Sequence, residues 1–143
     1  MKLKKLFINY CKARGFEINS NQIKTIETIN KFYHKNFKYN FFTNLFSKRE
    51  RIPGFYLQGD VGVGKTMILN FFYNNFSQTK HRLHFNEFMI SFHNFIFKNK
   101  NKNKGNIIDK FVVKLKKKYK LIYLDEFQVT NIVDAMILGS LFN

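Results

Sequence analysis

Tryptophan is absent from this chain of 143 residues, and cysteine and proline occur once each, as Cys11 and Pro53. A single thiol closes no internal disulfide and has no partner at metal-ligand spacing, so neither a disulfide scaffold nor a zinc module is expected, and a reducing compartment fits. Acidic residues are also scarce, 9 against 25 Lys and Arg, which leaves a formal net charge of +16. No apolar run approaches the ~18 residues of a membrane span, and no uninterrupted apolar stretch follows the basic start Met1–Lys5. The chain is therefore expected to be soluble, unsecreted and cytoplasmic. A mitochondrial matrix location is the alternative, because residues 1–16 carry no acid, although they carry no Ser either.

A hydrophobic content of 45% and this length fit one modest globular domain with a core of its own. The positive charge by itself would point to nucleic acid or an anionic surface. The composition supplies a competing cause. Lys, Asn, Phe, Ile and Tyr, the residues of AT-rich coding sequence, are all abundant, while Arg is rare. Part of the charge then reflects nucleotide bias, and nucleic acid becomes the weaker reading of the partner.

The most specific stretch is Gly54-Phe55-Tyr56-Leu57-Gln58-Gly59-Asp60-Val61-Gly62-Val63-Gly64-Lys65-Thr66, an apolar segment expected to be a short buried strand running into a phosphate loop. Residues Gly59, Asp60, Val61, Gly62, Val63, Gly64, Lys65 and Thr66 match G-x-x-x-x-G-K-[ST] throughout. The spacing has a mechanical reason. Glycines at 59, 62 and 64 allow backbone conformations other residues resist and bring N–H groups up to phosphate oxygens. A helix starting near Lys65 points its positive end at the same anion. Lys65 is placed for the β- and γ-phosphates of ATP, and the Thr66 hydroxyl for Mg²⁺. An accidental match is expected in about one chain of this length in two hundred.

Ahead of the loop, Leu3, Leu6, Phe7, Tyr10 and Cys11 recur at helical spacing and stop at Gly15. A second helix is marked by Asn19 as N-cap with Gln22 three residues on, and by Ile18 and Ile23 at staple positions. Its apolar stripe runs Ile26, Ile29, Tyr33, Phe37, read as core packing in preference to a platform for stacked bases. Phe41, Phe42, Leu45 and Phe46 suggest a third helical piece before Ser47–Arg51, broken by Pro53. After the loop, Met67, Ile68, Phe71, Phe72 and Phe76 form a covering helix. Arg82–Phe88 is a strand or strand-to-helix junction, and Phe88, Met89, Phe92, Phe95 and Ile96 continue helically. Lys98–Gly105 reads as a solvated loop, and Ile107, Ile108, Phe111, Val112 and Leu115 as another amphipathic helix. Alternating helices and strands of this kind argue a parallel α/β sheet.

Leu121-Ile122-Tyr123-Leu124-Asp125-Glu126 is an apolar run ending in two carboxylates, the form of a Walker B strand. Buried parallel strands read as continuous apolar runs, and ligands of open α/β sheets lie at their C-terminal ends. Asp125 is the expected Mg²⁺ carboxylate, directly or through water, and Glu126 the base that deprotonates the attacking water. His84 and His93 have no companions at zinc spacing and read as ordinary packed or surface residues.

The Gly54–Met67 block, then Arg82-Leu83-His84-Phe85…Phe88-Met89…His93, then Asp125-Glu126-Phe127-Gln128-Val129-Thr130-Asn131-Ile132-Val133-Asp134-Ala135-Met136-Ile137-Leu138 resemble the ZapE-type AAA+ ATPases, also called ATPase family gene one-like. The second and third blocks are more specific than either Walker motif. The resemblance covers nearly the whole chain. It implies an α/β P-loop NTPase fold, an AAA+ three-layer sandwich with an incomplete parallel sheet, with an N-terminal helical segment at 1–52 and the first part of the ATPase domain at 53–143. It also implies ATP and Mg²⁺ as ligands, hydrolysis coupled to action on protein partners in cell division or protein quality control, and a homo-oligomer. Asn131 and Asn70 stand where the family commonly has Asp. Family members continue past the position of Asn143 through a sensor strand that inserts centrally in the sheet and an arginine finger. This chain on its own is therefore expected to turn over ATP no faster than its Glu126→Gln variant. The rival readings are a nucleic-acid-dependent ATPase of the helicase-loader kind and a non-catalytic product of a split gene.

Overall fold

The computed structural model describes residues 3–37, 52, 54–100 and 106–142. Its elements in chain order are α1 (Leu3–Lys12), α2 (Ser20–Phe37), α3 (Lys65–Asn75), β1 (Lys80–His84), α4 (Phe85–Asn99), α5 (Ile107–Lys118), β2 (Leu121–Asp125) and α6 (Ile132–Phe142). They fall into two compact units, Met1–Asn75 and Phe76–Asn143. The expected helical piece at Phe41–Phe46, the segment Ser47–Arg51 and most of the Lys/Asn loop lie outside the described residues.

In the first unit, α1 ends as its glycine requires. Gly15 has φ +66°, and the Phe16 and Gly15 N–H groups donate to the carbonyls of Cys11 and Lys12 at 3.0 and 3.2 Å, a Schellman closure that satisfies carbonyls the helix leaves open. Helix α2 starts with the expected capping box: the Gln22 N–H donates to Asn19 Oδ1 at 2.8 Å, and the Asn19 N–H to Gln22 Oε1 at 3.4 Å. The buried stripe of α2 is Ile26, Ile29 and Phe32. Phe32 takes the place that the sequence reading gave to Tyr33 and Phe37, which are half-buried. Both helices pack on α3: Phe7 meets Phe71 edge-on with centroids 5.2 Å apart, and Phe32 stands 6.4 Å from Phe72. The aromatic residues at these contacts are core and not a stacking platform.

The expected strand at Gly54–Leu57 is not formed. Residues 54–60 carry no regular secondary structure, although Phe55 and Leu57 are half-buried and Tyr56 and Gln58 exposed, the alternation of an extended segment. A strand is made by its hydrogen-bonded neighbour, and among the described residues the sheet has two members, neither of which pairs with this stretch. Phe55 is held instead by Phe32, at 5.1 Å between centroids, and the preceding Ile52 carbonyl accepts from Asn36 Nδ2 at 2.9 Å.

In the second unit, β1 and β2 pair in parallel, with Arg82 opposite Tyr123 and His84 opposite Asp125. Parallel neighbours need a long crossover, and α4 and α5 supply it. Phe85, Phe88, Met89 and Phe92 of α4 form the buried core with Phe111 of α5 and Leu138 of α6, and Leu83 and Leu124 pack against it from the sheet. Helix α4 begins directly at Phe85, with the His84 N–H donating to Glu87 Oε2 at 3.1 Å. Asn106 caps α5 by accepting from the Ile108 N–H at 3.0 Å. Asn131 caps α6 by accepting from the Val133 N–H at 2.7 Å, a role Asn fills as well as Asp.

Ile26 has no exposed surface. Ile26→Asp is expected to bury an unpaired charge and cost about 3 kcal/mol or more. Urea unfolding of the variant checks this, and an unchanged midpoint would show that the α2 stripe does not carry the first unit.

Candidate functional site

Two groups of the singled-out residues are placed by these elements, one in each unit. In the first unit, residues 59–64 turn sharply into α3, with φ +156°, +86° and +87° at Gly59, Gly62 and Gly64, conformations that cost a side-chain-bearing residue strain. The first helical bond runs from the Ile68 N–H to the Gly64 carbonyl at 3.0 Å, so the N–H groups of Lys65, Thr66 and Met67 are left over at the helix start. Lys65 Nζ donates to the Gly59 and Asp60 carbonyls, at 2.6 Å each, which draws the ammonium across the loop. Asp60, Val61, Gly62, Val63 and Thr66 are exposed. The donor set of this turn, backbone N–H groups, one ammonium and a helix N-terminus, suits a polyphosphate.

In the second unit, Asp125 and Glu126 lie at the C-terminal end of β2. Alternation along the strands puts Arg82, His84, Tyr123 and Asp125 on one face of the pair, opposite the face through which Leu83 and Leu124 meet the helical core. Arg82 Nη2 donates to Asp125 Oδ2, and the guanidinium carbon lies 4.9 Å from the Tyr123 ring centroid. Asp125 Oδ1 accepts from the Tyr123 hydroxyl and from the Glu126 N–H, both at 3.2 Å. The Arg82 hydrogen bond, aided by its charge and by the Tyr123 and Glu126 donors, holds the Asp125 carboxyl below the ordinary carboxylate range despite partial burial. Burial above all, with the neighbouring Asp125 charge, pushes the Tyr123 hydroxyl up to about 12, so it stays a donor. Glu126 sits at φ +50°, outside the strand conformation, and its mostly exposed carboxylate is 3.5 Å from His84 Nδ1. A non-glycine residue in that region carries local strain on the order of 1 kcal/mol. An ionised carboxylate and a hydroxyl are hard oxygen donors of the kind Mg²⁺ takes.

The family model for AFG1-like ATPases matches residues 3–143. The chain belongs to the AFG1-like ATPase family. This is a P-loop AAA+ family, and the mixed helix–strand structure with a parallel strand pair is consistent with it. Among curated relatives, the zebrafish (Danio rerio) lactation elevated protein 1 homolog B is 39% identical over 106 residues, 67% of this chain and 21% of the relative. The cell division protein ZapE of Escherichia coli is 35% identical over 98 residues, 66% of this chain and 25% of ZapE. An uncharacterized protein of Schizosaccharomyces pombe is 35% identical over 94 residues, 62% of this chain and 21% of the relative. The matches thus span about a fifth to a quarter of the length of these relatives. No solved structure matches the chain. No helix among the described residues is long and apolar enough to cross a membrane.

Two members of the carboxylate group at the end of β2 carry no chemical role in the motif reading. Arg82 and His84 belong to a strand and to a block that carries the family resemblance, and His84 reads as an ordinary packed or surface residue, but neither is given a role beside Asp125 and Glu126. Their proximity to Asp125 and Glu126 depends on the β1–β2 register, and the sequence carries no short-range mark of it.

The lowered Asp125 carboxyl has a stability consequence. A depressed folded-state value contributes stability above the unfolded carboxylate range, and that contribution is lost as pH falls through the lowered value. Arg82→Leu is expected to be less stable than wild type by a constant amount from about pH 8 to about pH 5, with the gap narrowing below about pH 4. Denaturant unfolding as a function of pH measures this; a gap that stays full at about pH 3 would assign the loss to packing on Tyr123.

Proposed function

We propose that this chain binds ATP with Mg²⁺ through residues 59–66 and contributes the carboxylates for its hydrolysis, as part of an AAA+ three-layer α/β sandwich. The observation that carries the reading is the Gly59–Thr66 turn: three glycines at positive φ run into a helix whose first residue is the lysine. In this reading the loop N–H groups and the α3 N-terminus bind the phosphates, and the Lys65 ammonium exchanges its carbonyl partners for β- and γ-phosphate oxygens. Thr66 and Asp125 are the residues that would hold Mg²⁺, which supplies charge neutralisation for phosphoryl transfer. Glu126 is the base. Its strained backbone turns the carboxylate off the strand axis, where it accepts a proton from water. The Arg82 and Tyr123 donors keep Asp125 ionised, as a metal carboxylate must be.

Family membership supports hydrolysis coupled to work on a protein partner, in an assembly of several copies. ZapE is a cell division protein, and that likeness supports a role in cell division, with protein quality control as the alternative. We assign residues 1–52 to a family-specific helical segment and 53–143 to the first part of the ATPase domain, and place the protein in a bacterial cytoplasm or a mitochondrial matrix. The net charge of +16 favours a second reading, a nucleic-acid-dependent ATPase. Nucleic-acid affinity that falls steeply with salt, together with stimulated hydrolysis, would support it.

Lys65→Ala is expected to lower affinity for a fluorescent ATP analogue by tenfold or more, since a charge-assisted contact of about 1.5–3 kcal/mol is lost. Equal binding by variant and wild type would sink the phosphate-loop assignment.

A further inference from the structure

The capping residue of α2 reaches the phosphate loop. Gln22 is the third residue of α2 and half-buried, and its carboxamide is used at both ends. Oε1 accepts from the Asn19 N–H at 3.4 Å, and Nε2 donates to the Val63 carbonyl at 3.4 Å. The two contacts fix the amide's orientation by chemistry: flipped, its NH₂ would face the Asn19 N–H and its oxygen would face the Val63 carbonyl. The approach is also close. A Cβ at Gly64 would stand 2.9 Å from Gln22 Nε2, nearer than real Cβ contacts come.

We infer that Gln22 is a positioning residue of the phosphate loop, holding the Val63 carbonyl so that the Gly64 N–H is presented to the phosphates of a nucleotide. The inference rests on the nucleotide reading above and deepens it. Its mechanism is the planarity of one peptide group. In a trans peptide the C=O and N–H point in opposite directions, so fixing the Val63 carbonyl against Gln22 directs the Gly64 N–H to the other side of the chain. At φ +87° on Gly64 the loop has little steric restraint of its own, and an outside anchor removes freedom that phosphate binding would otherwise have to remove. Lys65 holds the carbonyls at the start of the loop, Gly59 and Asp60, and Gln22 the one near its end. Affinity for nucleotide is thereby tied to the capped start of α2, which belongs to the front helices.

Two substitutions separate anchoring from helix capping. Gln22→Glu keeps an acceptor for the Asn19 N–H and so keeps the capping box, but loses the donor to Val63. Gln22→Met loses both without adding charge. Titration of the whole chain with a fluorescent ATP analogue is expected to show about three- to tenfold weaker binding for both, the value of one net hydrogen bond. In Gln22→Glu the melting temperature should stay at the wild-type value while the Gly64 amide resonance shifts and exchanges faster with solvent, which a purely capping role would not produce. Wild-type affinity in Gln22→Met, or an unmoved Gly64 amide in Gln22→Glu, overturns the inference while leaving the nucleotide reading intact if Lys65→Ala still weakens binding tenfold or more. Failure of wild type to bind the analogue overturns both.

Discussion

Parallel strands cannot be joined by a tight turn, and the second unit is built around that constraint. The chain leaves β1 at His84 and must travel back to the end where β1 began, beside Lys80, before β2 can begin at Leu121, which takes the two helices α4 and α5. Burying the inner faces of those helices against Leu83 and Leu124 makes the core, and it brings the C-terminal ends of both strands to one edge. Everything chemical in the unit follows from that shared edge. Arg82 can reach Asp125, the Tyr123 hydroxyl can reach it from the same strand, and His84 stands beside Glu126. No polar residue there is buried without a partner, so the price of desolvating Asp125 stays small.

The first unit answers to a different constraint, the backbone shape of residues 59–64. A turn with three left-handed or extended glycines is entropically expensive to order, and within it Lys65 holds only the Gly59 and Asp60 carbonyls at its start. It is held from outside by its neighbours: α3 continues from it, Phe55 is gripped by Phe32 just before it, and Gln22 touches it from α2. Helices that read as a separate front segment therefore share a core with the helix that begins at the loop's lysine. Phe7, Phe32, Phe71 and Phe72 form that core.

Much of this was legible residue by residue where the signal is local. The cap at Asn19, the glycine stop at Gly15, the glycine-to-lysine turn and the apolar run of β2 are all encoded within a few positions, and the helices at 3–12, 20–37, 65–75 and 107–118 follow from their apolar spacing. What was not legible is what depends on pairing. Gly54–Leu57 has the composition of a strand but no ladder, because composition says nothing of which neighbour is present. Arg82 and Asp125 are 43 residues apart in sequence, and only the register of two strands makes them partners. Gln22 was visible as a cap, a local role, while its contact with Val63 spans 41 residues and left no trace in the pattern of α2.

The absence of tryptophan gives Tyr123 an optical role. With no indole to collect excitation energy, near-ultraviolet emission from this chain comes from its seven tyrosines. A phenol whose hydroxyl is donated to a carboxylate can lose its excited state by proton transfer, so Tyr123 beside Asp125 is expected to be a dim member of that set. Any event that draws the Asp125 carboxylate away from Tyr123 brightens it. The chain thus carries, without labelling, a chromophore whose intensity reports on the carboxylate at the end of β2.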